Sequence, residues 1–215
     1  MILKIAWRNI WRNRTRSFVV LFAIALGIWA IIFMHGFMKS FQDGYVKNTI
    51  SNDISHIQIH HKNFVKDREV QFTLDDQVIT QVLDTSKRVK AYSKRTVVSG
   101  MVASPRQTAG VTILGIDPIL ESRLTNIDSN VVEGKSLSEK SKMRVLIGHK
   151  LAEKLKVKIR SKIVLTFQDK DDNITSGAFR IAGILKSNSN KINELNAYVL
   201  QKDINSLLGI GSQSH

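Results

Sequence analysis

The chain has 215 residues, 43% of them hydrophobic, with a formal net charge of +14 and no cysteine. The missing cysteine excludes disulfides, Cys-ligated zinc, thiol catalysis and a lipoprotein anchor. A basic chain invites a nucleic-acid reading, but five cations (Lys4, Arg8, Arg12, Arg14 and Arg16) stand just before an apolar run, and no acid precedes Asp43. Positive-inside orientation and anionic lipid account for that cluster, so membrane lipid is the expected partner and nucleic acid is not.

Residues 1–17 are expected to lie at the membrane interface on the cytoplasmic side. At 100° per residue, Lys4, Arg8 and Arg12 line one face of a helix over Ile2–Asn13. Leu3, Ala6, Trp7, Ile10 and Trp11 gather on the other. Such a helix rests in the interface plane, with the indoles at headgroup depth and the cations towards phosphates. Arg14-Thr15-Arg16-Ser17 is expected to turn the chain into the bilayer. The interface set is therefore Lys4, Trp7, Arg8, Trp11, Arg12, Arg14 and Arg16.

Residues 18–38 read as a transmembrane helix. The run Phe18–Met34 carries no charge, and eleven of its seventeen residues are Phe, Val, Leu or Ile. Those eleven favour insertion by about 3 to 7 kcal/mol in total. Twenty helical residues rise about 30 Å, the thickness of the hydrocarbon core. A cleaved secretory signal is the competing reading. The run is longer than the usual h-region of about 7–15 residues, and no small-x-small site follows it in MHGFMKSFQDG. The helix is expected to continue to about residue 50, because Phe37, Phe41 and Tyr45 recur every four residues, with Met34 and Met38 beside them. This stripe is either a packing seam against a partner helix or a surface that meets a lipidic substrate. Both readings stand at this point.

Residues 51–215 read as a mixed α/β domain in two lobes. SHIQIHH alternates as a strand, with Ile57 and Ile59 on one face and His56 and His60 on the other. Those two histidines would stand about 13 Å apart and share no ion. Asp75 or Asp76 caps a short helix that buries Val78, Ile79, Val82 and Leu83. Strands are expected at Ala91–Ala103, Gly110–Gly115, Met143–Ile147, Lys162–Gln168 and Gly177–Lys186. Gly115-Ile116-Asp117-Pro118 turns into a short helix. A further helix spans His149–Lys156, with Leu151, Ala152 and Leu155 on one face. Asp169–Asn173 is a hairpin turn, Ser187–Lys191 a loop, Tyr198–Leu200 an extended piece and Lys202–Leu208 a helix. The tail Gly209–His215 shows no pattern. The whole is an α+β architecture behind one membrane helix and one interfacial helix.

Catalytic and cofactor motifs are missing. Gly134-Lys135-Ser136 resembles the end of a phosphate-binding loop, but Ser129 occupies the position of its first Gly. Asp169, Asp171 and Asp172 suggest a calcium loop, but Ile174 and Arg180 occupy the positions of its Gly and Glu. No enzyme, cofactor or metal site is expected within this chain.

Taken together, the segments resemble the FtsX-like permeases of bacterial ABC transporters, in particular the MacB-like and lipoprotein-releasing types. The resemblance is carried by Ala6-Trp7-Arg8-Asn9, Arg14-Thr15-Arg16-Ser17 and Ala25-Leu26-Gly27-Ile28, then by Ile57-Gln58-Ile59-His60, Leu114-Gly115-Ile116-Asp117-Pro118 and Val132-Glu133-Gly134-Lys135. Ile147-Gly148-His149-Lys150-Leu151-Ala152-Glu153-Lys154-Leu155 is the most specific piece. Val164-Leu165-Thr166-Phe167 and Phe179-Arg180-Ile181-Ala182-Gly183-Ile184 extend it.

Two departures stand out. After the Leu-Ala-Glu-Lys-Leu helix the family tends to have Gly-Val-Lys-Val-Gly-Asp, where this chain has Lys156-Val157-Lys158-Ile159-Arg160-Ser161. The family also has four membrane helices and this chain offers one, so a fragment or truncated gene product is expected. The resemblance implies a bacterial inner-membrane permease subunit with a cytoplasmic N-terminus and an extracytoplasmic, periplasmic-core-like domain. It implies a second permease subunit, identical or paralogous, and a separate cytoplasmic ATPase subunit that binds the ATP. The work implied is mechanical: lipoprotein release or export of another, lipidic substrate. Met34, Phe37, Met38, Phe41 and Tyr45 then line the partner-helix or substrate surface. A single-pass anchored sensor or binding domain is the alternative, followed by a membrane-attached enzyme.

Overall fold

Alternating strands and a long apolar helix lead to two separate units. The computed structural model describes residues 2–50, 55–140 and 142–215, and the chain divides into Met1–Lys47 and Asn48–His215. The expected domain start at residue 51 lies outside the described residues.

In the first unit, α1 (Ile2–Arg12) and α2 (Arg14–Thr49) follow the cationic segment and the apolar run. The 36 residues of α2 rise about 54 Å. It is the one helix among the described residues long and apolar enough to cross a membrane. The break falls at Asn13 alone, not across the four residues Arg14–Ser17. Ser17 N–H donates to Asn13 O at 3.1 Å, so those four residues are already the first turn of α2. Arg and Ser are tolerated in a helix, whereas the Asn side chain competes for backbone hydrogen bonds and favours its ends.

The second unit is built on one sheet of seven strands. β1 (Arg95–Ala103) and β2 (Thr108–Ile116) form an antiparallel hairpin, and α4 (Pro118–Leu124) follows. α3 (Asp76–Thr85) precedes them, with the Asp75 side chain accepting from Gln77 N–H as an N-cap. β3 (Val131–Gly134), β4 (Arg144–Gly148) and α5 (His149–Leu155) come next. The β5 (Lys162–Gln168) and β6 (Ile174–Leu185) hairpin leads to α6 (Asn190–Glu194), β7 (Asn196–Leu200) and α7 (Gln201–Leu208). The strand order is β3-β6-β4-β7-β2-β1-β5, and β5 also pairs with β6. Six strands thus close into a ring, because β6 pairs with β5 along Ile174–Arg180 and with β4 along Arg180–Leu185. Closure removes the open edges that invite aggregation.

Alternation along each strand divides the apolar residues between two cores. Val98, Val111, Ile113, Val145, Ile147, Ile163, Phe179 and Val199 share one cluster, joined by Leu151 and Leu155 of α5 and Ile204 and Leu208 of α7. Leu114, Ile116, Leu146, Leu185, Tyr198 and Leu200 form the second, with Ile127, Leu137 and Ile192. The short run Val145-Leu146-Ile147 is apolar throughout because its two faces meet different cores.

Three expectations fail. Ser55–His61 is not a strand: Ile57 is 83% exposed, Ile59 is 49% exposed, and no sheet edge accepts them. Alternation makes a strand only where a partner satisfies its backbone groups. The helix at Asp76 forms, but Val78 and Val82 are exposed rather than buried. The patternless tail, finally, is integral to the fold. Ser214 and His215 are buried, Leu74 pairs with Ser214, and Asn205 Nδ2 donates to Gly211 O and Gln213 O. The Ser214 hydroxyl donates to Asp76 Oδ1 at 2.5 Å.

Candidate functional site

The residues expected at the membrane interface sit on α1 and the first turn of α2. Trp7 and Trp11, one helical turn apart, bring their ring centroids to 6.1 Å at 59°. Arg14 lies over the Trp11 ring with Cζ 5.4 Å from its centroid, a cation–π contact across the Asn13 break. Lys4, Arg8, Arg12 and Arg16 are exposed. The side chains of Leu3, Ala6 and Ile10, expected beside the tryptophans, lie outside the described residues.

Along α2 the character changes with height. Phe18 to Met34 is apolar on every face. Above Met38 the polar residues collect on one side as Lys39, Asp43 and Lys47. At 100° per residue, Met34, Phe37, Met38, Phe41 and Tyr45 fall within an arc of about 100° on the opposite side. All five are exposed. The structure therefore brings the five expected residues onto one face. It also shows what the spacing argument missed: Phe37 ends a ladder with Trp29 and Phe33. Trp29–Phe33 centroids are 5.6 Å apart at 19°, and Phe33–Phe37 centroids 6.5 Å apart at 18°. The spacing of four was the available signal, hidden inside a run where every residue is apolar. Stacked rings restrict one another, so this face is a stiff apolar surface.

The histidines serve packing. His60 stacks on Phe64 and His61 on Phe72. Among the described residues no group of three His, Asp or Glu side chains is placed to hold a metal ion. The calcium-like Asp169 instead accepts the N–H groups of Asp171 and Asn173, each at 2.9 Å, and closes its own hairpin turn. Gly134-Lys135-Ser136 is not followed by a helix as a phosphate-binding loop would be, and the Ser136 hydroxyl is donated to Asp128.

Comparison with known proteins agrees with this architecture. The model of the MacB-like periplasmic core domain matches residues 17–207. Among solved structures, the periplasmic region of MacB from Actinobacillus actinomycetemcomitans is 15% identical, at TM-score 0.50, over 72% of this chain and 68% of that one. The extracellular domain of the noncanonical ABC-type transporter YknZ from Gram-positive bacteria is 18% identical, at TM-score 0.49, over 64% of this chain and 67% of that one. No curated protein matches the sequence. With nearly its whole length matched by the family model, the chain belongs to the MacB-like periplasmic core domain family.

Proposed function

We propose that this chain is a permease subunit of an ABC transporter, with α2 spanning the inner membrane once and Asn48–His215 working outside it. The reading assigns the N-terminus and α1 to the cytoplasmic face, where the Lys and Arg cluster meets anionic headgroups. ATP is bound and hydrolysed by a separate cytoplasmic ATPase subunit. A second permease subunit completes the assembly. The observation that carries the reading is α2 itself: one unbroken helix of 36 residues, longer than a bilayer needs, joined to a family-typical outer domain. A continuous helix transmits displacement because its backbone hydrogen bonds are satisfied internally.

In this reading, Met34, Phe37, Met38, Phe41 and Tyr45 form the surface that meets the second subunit or a lipidic cargo such as a lipoprotein. The test uses the absence of native cysteine. Single cysteines at Lys4 and at Lys170, in the protein in whole cells, are labelled with a membrane-impermeant maleimide. Labelling at 170 and protection at 4 is the expected pattern; the reverse, or equal labelling of both, rejects the orientation. Co-purification from native membranes should return an ATPase, and Phe37→Asp and Phe41→Asp should each abolish assembly or transport. Full activity in both variants would show that the face does no work.

A further inference from the structure

The sheet register places like charges side by side at one level. Arg144 of β4 stands opposite Arg180 of β6, and Arg180 stands opposite Lys162 of β5. All three are exposed. Like charges at directly paired positions cost a few tenths to about 1 kcal/mol each. Among the described residues, the ion pairs within 4.0 Å join Lys94, Arg95 and Lys150 to acids, and none involves this trio.

Arg144, alone of the trio, also lines a half-open cleft of about 570 Å³, a size typical of small-molecule sites. Ile181 and Ala182 of β6, both buried, line it, with Ile159 alongside. Its rim carries Lys135, Lys140, Arg144 and Arg160, and no carboxylate lines it. The nearest acids in sequence are occupied or absent from the lining. Asp128 accepts the Ser136 hydroxyl, and Glu133 and Glu139 are not among the lining residues.

Two backbone features form the walls. Gly134 has φ +83°, and a Cβ there would strike the Ala182 backbone. The chain can therefore fold tightly over β6, where Lys135 N–H donates to Ala182 O at 3.0 Å. Arg160 has φ 68°, a left-handed conformation that costs a side-chain-bearing residue about 1–2 kcal/mol. Its N–H donates to Ile181 O at 3.0 Å, which holds the Arg160 backbone against β6 beside the cleft. Strain that stability does not require points to a use for the side chain.

We infer that this cleft binds a phosphate-bearing anion. Four cations in one small cleft exceed what a single carboxylate neutralises, whereas a phosphate monoester or diphosphate brings two or more charges. The guanidiniums of Arg144 and Arg160 present the planar forks that grip such oxygens in pairs. Either a soluble phosphate monoester or diphosphate, or the monoester headgroup of phosphatidic acid, carries this chemistry. The site does not depend on the transport reading.

The experiment titrates the intact detergent-solubilised chain with inorganic pyrophosphate and, separately, with dihexanoyl phosphatidic acid below its micellar concentration. Calorimetry should give one saturable site per chain for at least one probe. Pyrophosphate alone identifies a soluble ester as the source, and the short-chain lipid alone a headgroup. Arg144→Ala and Arg160→Gly should each weaken binding about tenfold, the loss of one charge-assisted contact. Arg160→Gly also relieves the left-handed strain, so a more stable variant that binds worse separates ligand binding from folding. Lys202→Ala, which does not line the cleft, should bind as the parent does. The inference is overturned if neither probe saturates, or if both arginine variants bind as tightly as the parent.

Discussion

The imidazole of His215 stacks on the ring of Phe64, with centroids 4.8 Å apart and planes inclined by 22°. Its Nδ1 accepts from Val97 N–H at 3.2 Å, and its Nε2 lies 3.0 Å from Val70 O. The pattern fits one neutral tautomer, in which Nε2–H donates to the carbonyl. A proton on Nδ1 would cancel the Val97 bond. Burial, followed by the smaller influence of His60, holds the pKa below its ordinary 6.5, against the Val70 hydrogen bond and Asp76.

The unfolded chain therefore binds a proton on this residue more readily than the folded one. The contribution of His215 is complete above about pH 6.5 and is lost as the pH falls towards the lowered folded value. Urea titrations at pH 7.5 and 5.5 should show the parent losing more stability than His215→Phe over that interval. Equal losses would refute the assignment.

A second prediction concerns the turn after α5. Lys156 caps that helix in the left-handed conformation, φ 54° and ψ 44°. The chain keeps a glycine-type turn without a glycine. Relief of about 1–2 kcal/mol of strain, less the extra flexibility of Gly in the unfolded chain, leaves a gain of about 0.5–1 kcal/mol for Lys156→Gly. Lys156→Val, β-branched at the same position, should lose stability. Chemical denaturation orders the three proteins, and identical midpoints would contradict the geometry.

Glu121 is almost fully buried on α4, where its carboxylate accepts from Arg95 Nη2 at 2.5 Å, Ser93 Oγ at 2.8 Å and Thr125 Oγ1 at 2.9 Å. Removing one partner of such a pair exposes the other to an apolar setting. Glu121→Ala should cost about 3 kcal/mol. Arg95→Met combined with Glu121→Leu should cost less than the two single changes added together. A double-mutant cycle by denaturation decides it, and strict additivity would mean the pair is not coupled.

Gly148 joins β4 to α5 where the chain passes against α6. A Cβ there would land on the Asn193 backbone, which cannot move aside as a side-chain tip can. Gly148→Ala should destabilise by roughly 3 kcal/mol or prevent folding, read as a lowered melting temperature or loss of soluble protein. A near-parental melting temperature would show that the approach is looser than described.

Much of this was legible before the structure, for local reasons. Lys162–Gln168 reads as a strand, with Ile163, Leu165 and Phe167 on one face, and is β5; Asp117-Pro118 supplies a cap and an N1 proline and starts α4. The apolar length of α2 left little choice of element. What escaped notice depends on long-range partners. His215 reads as the end of a polar tail until Phe64, Val70 and Val97 surround it. Ile57 and Ile59 read as strand residues until no edge is found for them. The cationic cleft draws Lys135, Arg144 and Arg160 from three separate segments, and Arg144, Arg180 and Lys162 become neighbours only through the sheet register. Spacing along the chain carries no trace of either arrangement.

The bridge between Leu74 and Ser214 has a mechanical meaning. It clasps the segment ahead of α3 to the segment beyond α7, side by side although far apart in sequence. Tension drawing these two segments apart falls on that clasp, and it also reaches the ring, because His215 N–H donates to Arg95 O at 3.0 Å and its Nδ1 accepts from Val97 N–H, both on β1. A pull on either segment is thus handed to the first strand of the barrel-like wall.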